Sequence, residues 1–366
     1  MIPDLSILTL PFLAAGGVFV LAMITGEDIA LNRISVPWTL ASRGFDEVVI
    51  TRQLSDYMSE INAGAASELS SVTLEEGSLE KSIGAFEDFF EIQLLVTGMR
   101  NLLGMIPVYI NGEVTEQGED IVLTIRVYSK DENKPVHRVT ARGKPQEIDS
   151  ILRKAALDTL ETINPYVVAL YHRRIEMAAG AWDFPKTHEA VDHYLKDRPV
   201  EEHFLAYGLL GRMHMLKAER APNLSDAERT AEYERAIELL NGALLQRPDF
   251  LFPNLNLAVI EANRGNYAAA EAYFKRAAVI NPQYRTTRES WADMLLKQGR
   301  TTEGLAQLVA AVEIDKKNPA LRNRLGQLYQ QVGRPDLARV QFERALRLNP
   351  RNKDYLNSWR GTAAAR

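Results

Sequence analysis

The stretch DLARVQFERALRLNPRN, from Asp336 to Asn352, repeats the pattern of an earlier stretch, YAAAEAYFKRAAVINPQY, from Tyr267 to Tyr284. Shifting the chain by 34 residues aligns both stretches with a third block that lies between them. In the last block the recurring positions are occupied by Leu325, Gly326, Tyr329, Gly333, Ala338, Phe342, Ala345 and Pro350. A fixed period of this length predicts a stack of similar units, each of which packs against its neighbours.

The residue types at the recurring positions predict two antiparallel helices in each block. Ala338 and Ala345 are small enough for the helices to approach closely, and Phe342 fills the space between them. Pro350 cannot continue a helix and therefore ends the unit. This pattern resembles the tetratricopeptide repeat, a helix–turn–helix unit, over roughly residues 200–350. The resemblance implies that the first helices of the repeats line a concave surface where partner proteins bind.

A fourth, earlier unit is spaced differently. Ala236, Ala243 and Pro248 fit the second helix of such a unit, and Gly211 fits the first. Gly211 and Ala236 are 25 residues apart, whereas the corresponding positions of the intact repeats are 12 residues apart. We interpret the difference as 13 inserted residues that form a long loop around APNLSDAER.

Two further segments complete the predicted repeat region, which is residues 166–366. The segment THEAVDHYLKDRP carries Ala190 and Tyr194 at the positions of a second helix, and we interpret it as part of a degenerate unit. The segment KDYLNSWRG, after Pro350, predicts a cap helix at the carboxy-terminal end, because a terminal repeat needs one polar outer face.

Between the amino-terminal segment and the repeats, residues 28–165 predict a small α+β domain. IPVYINGEV and DIVLTIRVY alternate apolar and polar residues on either side of a turn that contains Gly118, and PVHRVTARG adds a third strand. Helical spacing in VVITRQLSDYMSEI, FEDFFEIQLLVTGMRNLLG and PQEIDSILRKAALDTLETI predicts helices beside this antiparallel sheet. The hairpin segment INGEVTEQGEDIVLTIRV resembles that of small α+β modules in bacterial membrane-anchored tetratricopeptide proteins.

The amino-terminal segment holds 22 residues without a charge, between Asp4 and Glu27. A helix of that length spans about 30 Å, the thickness of a bilayer core. No Lys or Arg precedes the segment, so we interpret residues 1–27 as a single-pass transmembrane anchor, with a cleaved signal peptide and a buried helix as the alternatives. Its run of small residues, AAGG, favours oligomerisation through this helix.

The residues that flank this segment favour one orientation. Arg33 and Arg43 follow it, whereas Asp4 is the only charged side chain before it. Because Lys and Arg are enriched in cytoplasmic flanks, we predict an inner-membrane protein of a bacterium whose soluble part lies in the cytoplasm. A periplasmic location of the soluble part stays open as the alternative.

The chemistry that the side chains could perform is limited. The chain has no cysteine, and its net charge of -5 gives no reason to expect a nucleic acid partner. It contains no glycine-rich phosphate loop and no nucleophile elbow. His188 and His193 are five residues apart, so a helix would not bring them to one face for a shared metal. We therefore predict no catalytic residue, no cofactor and no metal site, in a protein that is not an enzyme.

Two groups of residues are predicted to bind partners. The first helices of the repeats present side chains to the concave face, where amides can bond a partner's backbone. These groove residues are Phe252, Asn256, Val259, Asn263, Glu289, Asp293, Lys297, Asn323, Gln327 and Gln330. In addition, residues 319–366 hold ten Lys or Arg against three Asp or Glu, which favours an acidic neighbour. The basic patch of this region is Arg339, Arg344, Arg347 and Arg351.

The predicted architecture is a transmembrane helix, a small α+β domain and an all-α tetratricopeptide solenoid. We interpret the chain as a membrane-anchored scaffold or adaptor, a non-enzymatic subunit of a bacterial envelope complex. It would bind proteins through the concave face and the lipid bilayer through residues 5–26. The alternative is a sensor, whose α+β domain binds a small ligand or cell-wall fragment and relays it through the repeats. The Lys and Asn pattern of chaperone-type repeats is absent, so binding of a partner's terminal carboxylate is not predicted.

Overall fold

The computed structural model of this protein describes residues 29–69, 108–129 and 136–363. The predicted transmembrane anchor and the predicted helix in FEDFFEIQLLVTGMRNLLG lie outside these ranges. Inside them, every helix is too short or too polar to span a membrane. The described chain falls into two compact units. The first ends at Ala178 but also takes in Pro185–Tyr194, and the second comprises Ala179–Phe184 and the residues from Leu195 onward.

The first unit is built on a four-stranded sheet. Its strands, in spatial order, are β1 (Ile29–Leu31), β2 (Val108–Gln117), β3 (Asp120–Ser129) and β4 (His137–Gly143). The antiparallel pairing of β2, β3 and β4 confirms the predicted meander, and β1 adds a parallel strand beside β2. Between β2 and β3, Gly118 has a φ of 68°, which a residue with a Cβ rarely adopts. The sequence did not predict β1, because alternation cannot be recognised over three residues.

One face of the sheet is apolar and buried. Ile110, Ile125, Val127 and Val139 are buried and share this face, since Ile125 and Val127 lie two residues apart on β3 and are paired across the ladder with Val139 and Ile110. The first helices of this unit are α1 (Trp38–Ala41), α2 (Glu47–Leu69) and α3 (Ile148–Ile163). The apolar stripe of α3, which includes the buried Leu152, packs on β3 and β4.

Two more helices follow, α4 (Pro165–Ala178) and α5 (Pro185–Asp197). They lie where the sequence predicts a degenerate repeat, and Ala190 and Tyr194 are buried there. The buried carboxylate of Glu176 caps α5, since it accepts a hydrogen bond from the Lys186 backbone N at 2.8 Å and from Thr187 Oγ1 at 2.6 Å. Helix α4 packs against α2 and α3 of the first unit, and the domain boundary at residue 165 stays a prediction.

The second unit is a succession of helix pairs. Its helices are α6 (His203–Arg220), α7 (Asp226–Gln246), α8 (Leu251–Asn263), α9 (Tyr267–Ile280), α10 (Arg285–Lys297), α11 (Thr301–Ile314), α12 (Pro319–Gln331), α13 (Pro335–Leu348) and α14 (Lys353–Ala363). Helix α8 packs with α9, α10 with α11, and α12 with α13. Each 34-residue block therefore forms one helix pair, and α14 lies at the position of the predicted cap helix.

The recurring residues perform the packing that their types predict. In the last block the fully buried side chains are those of Ala338, Phe342 and Ala345. In the turn between its two helices Gly333 has a φ of 72°, and Gly299 and Gly265 adopt the same left-handed conformation one and two blocks earlier. Glycine permits this conformation without steric cost, so the repeated glycine sets the repeated turn.

The helix pair α6 and α7 contradicts the prediction of a long inserted loop. The additional residues do not form a long loop, because α6 has 18 residues and α7 has 21, against 13 and 14 in α8 and α9. A capping box starts α7 early: the Glu228 backbone N donates to Ser225 Oγ at 3.3 Å, and the Glu228 side chain accepts from the Ser225 backbone N at 2.8 Å. The polar composition of this segment favours a loop, but the capping box stabilises a helix there instead.

Candidate functional site

The first helices of four successive pairs are joined two by two through polar contacts, α6 with α8 and α10 with α12. Arg212 Nη1 on α6 donates to Asn256 Oδ1 on α8 at 2.9 Å, and Arg324 on α12 forms an ion pair with Asp293 on α10. We call this surface the first-helix face. It consists of the predicted groove residues together with Arg212, Glu219, Tyr284 and Arg324.

The predicted residues of α8 differ in how accessible they are. Asn256 is only 5% exposed, and its side-chain oxygen is occupied by Arg212. Val259 is half-buried and packs against core residues of two neighbouring clusters. Asn263 is exposed, and its Nδ2 donates to Glu219 Oε1 at 3.4 Å. A ligand that contacted α8 would therefore meet two asparagine side chains that are already hydrogen-bonded to α6.

Aromatic rings form a continuous chain beside these polar residues. Phe252 meets Tyr284 edge to face with 5.9 Å between ring centroids, and on its other side it meets Phe250 at 5.9 Å. Phe250 in turn meets Phe204 of α6 at 5.3 Å. Tyr284 is buried and the other three rings are half-buried, so part of this aromatic chain is open to an apolar ligand group.

On α10 the two carboxylates of the face are already paired. Glu289 forms an ion pair with Arg285 one turn earlier, and Asp293 pairs with Arg324. Both pairs are partly open to solvent, which screens them to about 1 kcal/mol or less of stability each, so their main effect is to neutralise the surface. Lys297 is exposed at the end of the same helix.

On α12 the predicted residues are amides. Gln327 and Gln330 are exposed, and within the described ranges neither makes a hydrogen bond. The side-chain oxygen of Asn323 is buried and also accepts no hydrogen bond from any described residue. A buried acceptor without a partner costs free energy, which contact with a donor would recover.

The basic patch consists of two kinds of arginine. Arg344 and Arg351 are exposed. Arg347 pairs with Glu343 at 2.6 Å, and the guanidinium of Arg339 lies 6.0 Å from the ring centroid of Trp359. Two of the four arginines thus contact neighbouring side chains of their own repeat and the cap helix.

Three charged residues of the first-helix face, Arg212, Glu219 and Arg324, were not predicted, and Arg212 could have been. Gly211 occupies the repeat position of Gly326, so Arg212 lies in register with Gln327 and Asp293, both of which the sequence places in the groove. The altered spacing of the earliest pair hid this correspondence. Extending the register from Gly211 by one residue would have found it.

Two histidines, His193 and His214, pair with carboxylates. Across the ranges that the structure describes, no three His, Asp or Glu side chains are grouped so that they could hold a metal ion. His193 Nδ1 lies 2.6 Å from Glu161 Oε1, and His214 Nδ1 lies 2.6 Å from Glu232 Oε2. Burial alone would raise the pKa of Glu232, but hydrogen bonds from His214 and Lys217 hold it below its ordinary value.

Comparison with known proteins agrees with the repeat pattern. Two tetratricopeptide repeat family models match this chain, one over residues 224–285 and one over residues 295–358. These are tetratricopeptide repeats. The predicted tetratricopeptide repeats are thereby confirmed, and the matched residues include α8 and α12 of the first-helix face. A human protein, the protein O-mannosyl-transferase TMTC3, is 29% identical over 108 residues, which are 29% of this chain and only 12% of that protein.

Two solved structures are similar to part of this chain at low sequence identity. TTC0263, a tetratricopeptide protein of Thermus thermophilus, is 20% identical, with a TM-score of 0.39 over 56% of this chain and 99% of that chain. PilW, a type IV pilus biogenesis factor, is 19% identical, with a TM-score of 0.41 over 56% of this chain and 86% of that chain.

Proposed function

We propose that this chain is a scaffold that holds an extended segment of a partner protein along the first-helix face. The observation that carries the proposal is the row of amides on α12, because Asn323, Gln327 and Gln330 make no hydrogen bond to the described residues. A side-chain amide offers a donor and an acceptor, which match the alternating groups of an extended backbone. The repeats support the proposal, since tetratricopeptide proteins generally mediate protein–protein interactions.

The ion pairs of α10 occupy its carboxylates, whereas Gln327 and Gln330 on α12 are exposed and make no hydrogen bond within the described ranges. A ligand that used the carboxylate of Glu289 or Asp293 would first have to displace Arg285 or Arg324. A ligand that used Gln327 or Gln330 would displace only water. We therefore place the backbone of the partner along α12 and its side chains toward α10 and α8.

Alanine at Asn323, Gln327 and Gln330 together is expected to weaken peptide binding at least about tenfold, because three hydrogen-bonding side chains are lost. The probe is a dodecapeptide selected on the full-length protein from a random displayed library, and its affinity is measured by fluorescence anisotropy. The matched control replaces three exposed polar residues elsewhere on the repeats, Asn241, Gln283 and Thr302, with alanine. Equal affinity of the two triple variants for the selected peptide would contradict the proposal.

We further propose that residues 5–26 hold this scaffold at a bacterial inner membrane as part of an envelope complex. The 22 uncharged residues support this proposal. After extraction of bacterial membranes at high pH, the full-length chain is expected in the pellet and a chain without residues 1–27 in the supernatant. Identical fractionation of both chains would refute anchoring. The cytoplasmic location, the sensor alternative and the lack of catalysis stay predictions.

A further inference from the structure

Arg212 of the first-helix face has an unusual environment for an arginine. Its Nη1 donates to Asn256 Oδ1 at 2.9 Å and approaches Met215 Sδ at 3.8 Å. Among the described residues, it forms no ion pair with a carboxylate. The side chain keeps some exposure to solvent, yet burial lowers the pKa of Arg212 because its surroundings make the charged form costly.

Other arginines on this face, or beside it on α10 and α12, have hydrogen-bonding partners. Arg324 is paired with Asp293, and Arg285 with Glu289. Arg322 also lacks a carboxylate partner, but its donors are bonded within its own repeat, to the Lys316 carbonyl oxygen and to Gln341. Of the two arginines of this face, Arg212 is therefore the one that pairs with no carboxylate among the described residues.

The charged groups around Arg212 do not compensate its positive charge. Glu219 lies two turns further along α6 and raises the pKa of Arg212, but its carboxylate is beyond ion-pair distance and accepts from Asn263. Arg220 acts in the opposite direction. A guanidinium carries five N–H donors, and most of those on Arg212 have no acceptor among the described residues. A carboxylate from outside would supply both the charge and the acceptors.

An apolar surface lies next to this guanidinium. Asn256, which Arg212 contacts, is one helical turn from Phe252 on the same side of α8. Phe252 meets Tyr284 with 5.9 Å between ring centroids, and Tyr284 is close enough to affect the charge of Arg212. A ligand whose carboxylate reached Arg212 would therefore bring the neighbouring part of its chain to the aromatic rings.

We infer that Arg212 and Asn256 bind the carboxylate of an acidic side chain in an extended partner segment, and that Phe252 and Tyr284 bind an apolar side chain next to it. This inference rests on the proposed function and names the partner's chemistry. In the complex Arg212 donates two hydrogen bonds to the carboxylate, and Asn256 Nδ2 supplies a further donor. The partner motif is one Asp or Glu adjacent to an aromatic or aliphatic residue.

The test selects dodecapeptides from a random displayed library on the full-length protein and on its Arg212→Gln variant. Peptides selected on the unaltered protein are expected to carry Asp or Glu beside an apolar residue, and the variant is expected to lose this preference. A synthetic peptide of the selected sequence, amidated at its carboxy terminus, is then compared with its Asp→Asn or Glu→Gln counterpart by fluorescence anisotropy. Either change alone should weaken binding about tenfold or more, and both together little further.

The unfolding temperature provides an independent measurement. If Arg212 had a purely structural role, Arg212→Gln would lower this temperature. Arg212→Gln should unfold at the same temperature or higher, because replacing an uncompensated buried charge is often neutral or stabilising. The matched control is Arg324→Gln, which removes an arginine that is already paired and should leave the acidic preference intact.

The outcomes separate this inference from the proposed function. Selected peptides without an acidic residue, or an acidic preference that survives Arg212→Gln, would overturn the inference and leave the scaffold proposal standing. Loss of binding on amidation of the peptide would also overturn it, because the recognised group would then be a terminal carboxylate. Failure to select any peptide would count against both.

Discussion

Replacing Phe274 with alanine is expected to lower the free energy of unfolding of the repeats by about 3–5 kcal/mol. The ring is fully buried and stacks against Trp291 with 6.1 Å between centroids, so it connects α9 to the next unit. Its removal leaves a cavity that the helices cannot fill without losing their spacing. Urea titration followed by circular dichroism measures the loss, and hydrogen exchange in α8, α9 and α10 shows whether the opening begins there.

Two comparisons make this prediction specific. Phe342→Ala changes the same repeat position in the last block, where the ring is equally buried, and should cost a similar amount. Val279→Ala removes an apolar side chain that is 80% exposed, so its effect should stay within about 0.5 kcal/mol. A loss below about 1 kcal/mol for Phe274→Ala would mean that the recurring aromatic residue does not hold the units together.

Gly211→Ala is expected to cost about 1–3 kcal/mol, because the added methyl group would overpack the contact between α6 and α7. An ideal Cβ on Gly211 would lie 2.6 Å from Leu240 Cγ and 3.2 Å from the Ala236 backbone oxygen. The side chain can move aside, but the backbone oxygen can do so only if the helices separate. Thermal unfolding of the full-length protein measures the change.

Gly242→Ala in the same helix pair is the matched control. Its Cβ would approach nothing closer than Tyr207 Cδ2 at 3.8 Å, so the space is available. Alanine favours a helix over glycine by up to about 1 kcal/mol, and the variant should therefore be as stable as the original protein or more stable. If Gly211→Ala were as well tolerated as Gly242→Ala, α6 and α7 would not pack as a tetratricopeptide pair.

The sequence predicted the fold correctly where a repeated position requires one residue type for one physical role. Ala338, Phe342 and Gly333 recur because close approach, filling of space and a left-handed turn each demand a particular side chain. The helix pairs could therefore be predicted from a single period. The longer α6 and α7 could not, because the repeat spacing counts residues and does not distinguish a longer loop from longer helices.

The candidate site was less predictable, because its properties depend on which side chains meet. The register places Asn256 and Asp293 in the groove. It does not show that Asn256 accepts a hydrogen bond from Arg212, or that Asp293 forms an ion pair with Arg324. These contacts join residues that are 44 and 31 positions apart. The amides of α12 stand out only once the carboxylates of α10 are known to be paired.

Site-specific photo-crosslinking tests the central claim that partners bind the first-helix face. A photoreactive amino acid is placed at Gln327, on that face, or at Ala306, which is exposed on the second helix α11, in the full-length protein produced in its own cells. The account predicts a discrete crosslinked partner from position 327 and much less from position 306. Equal yields at the two positions, or a partner captured only from position 306, would contradict it.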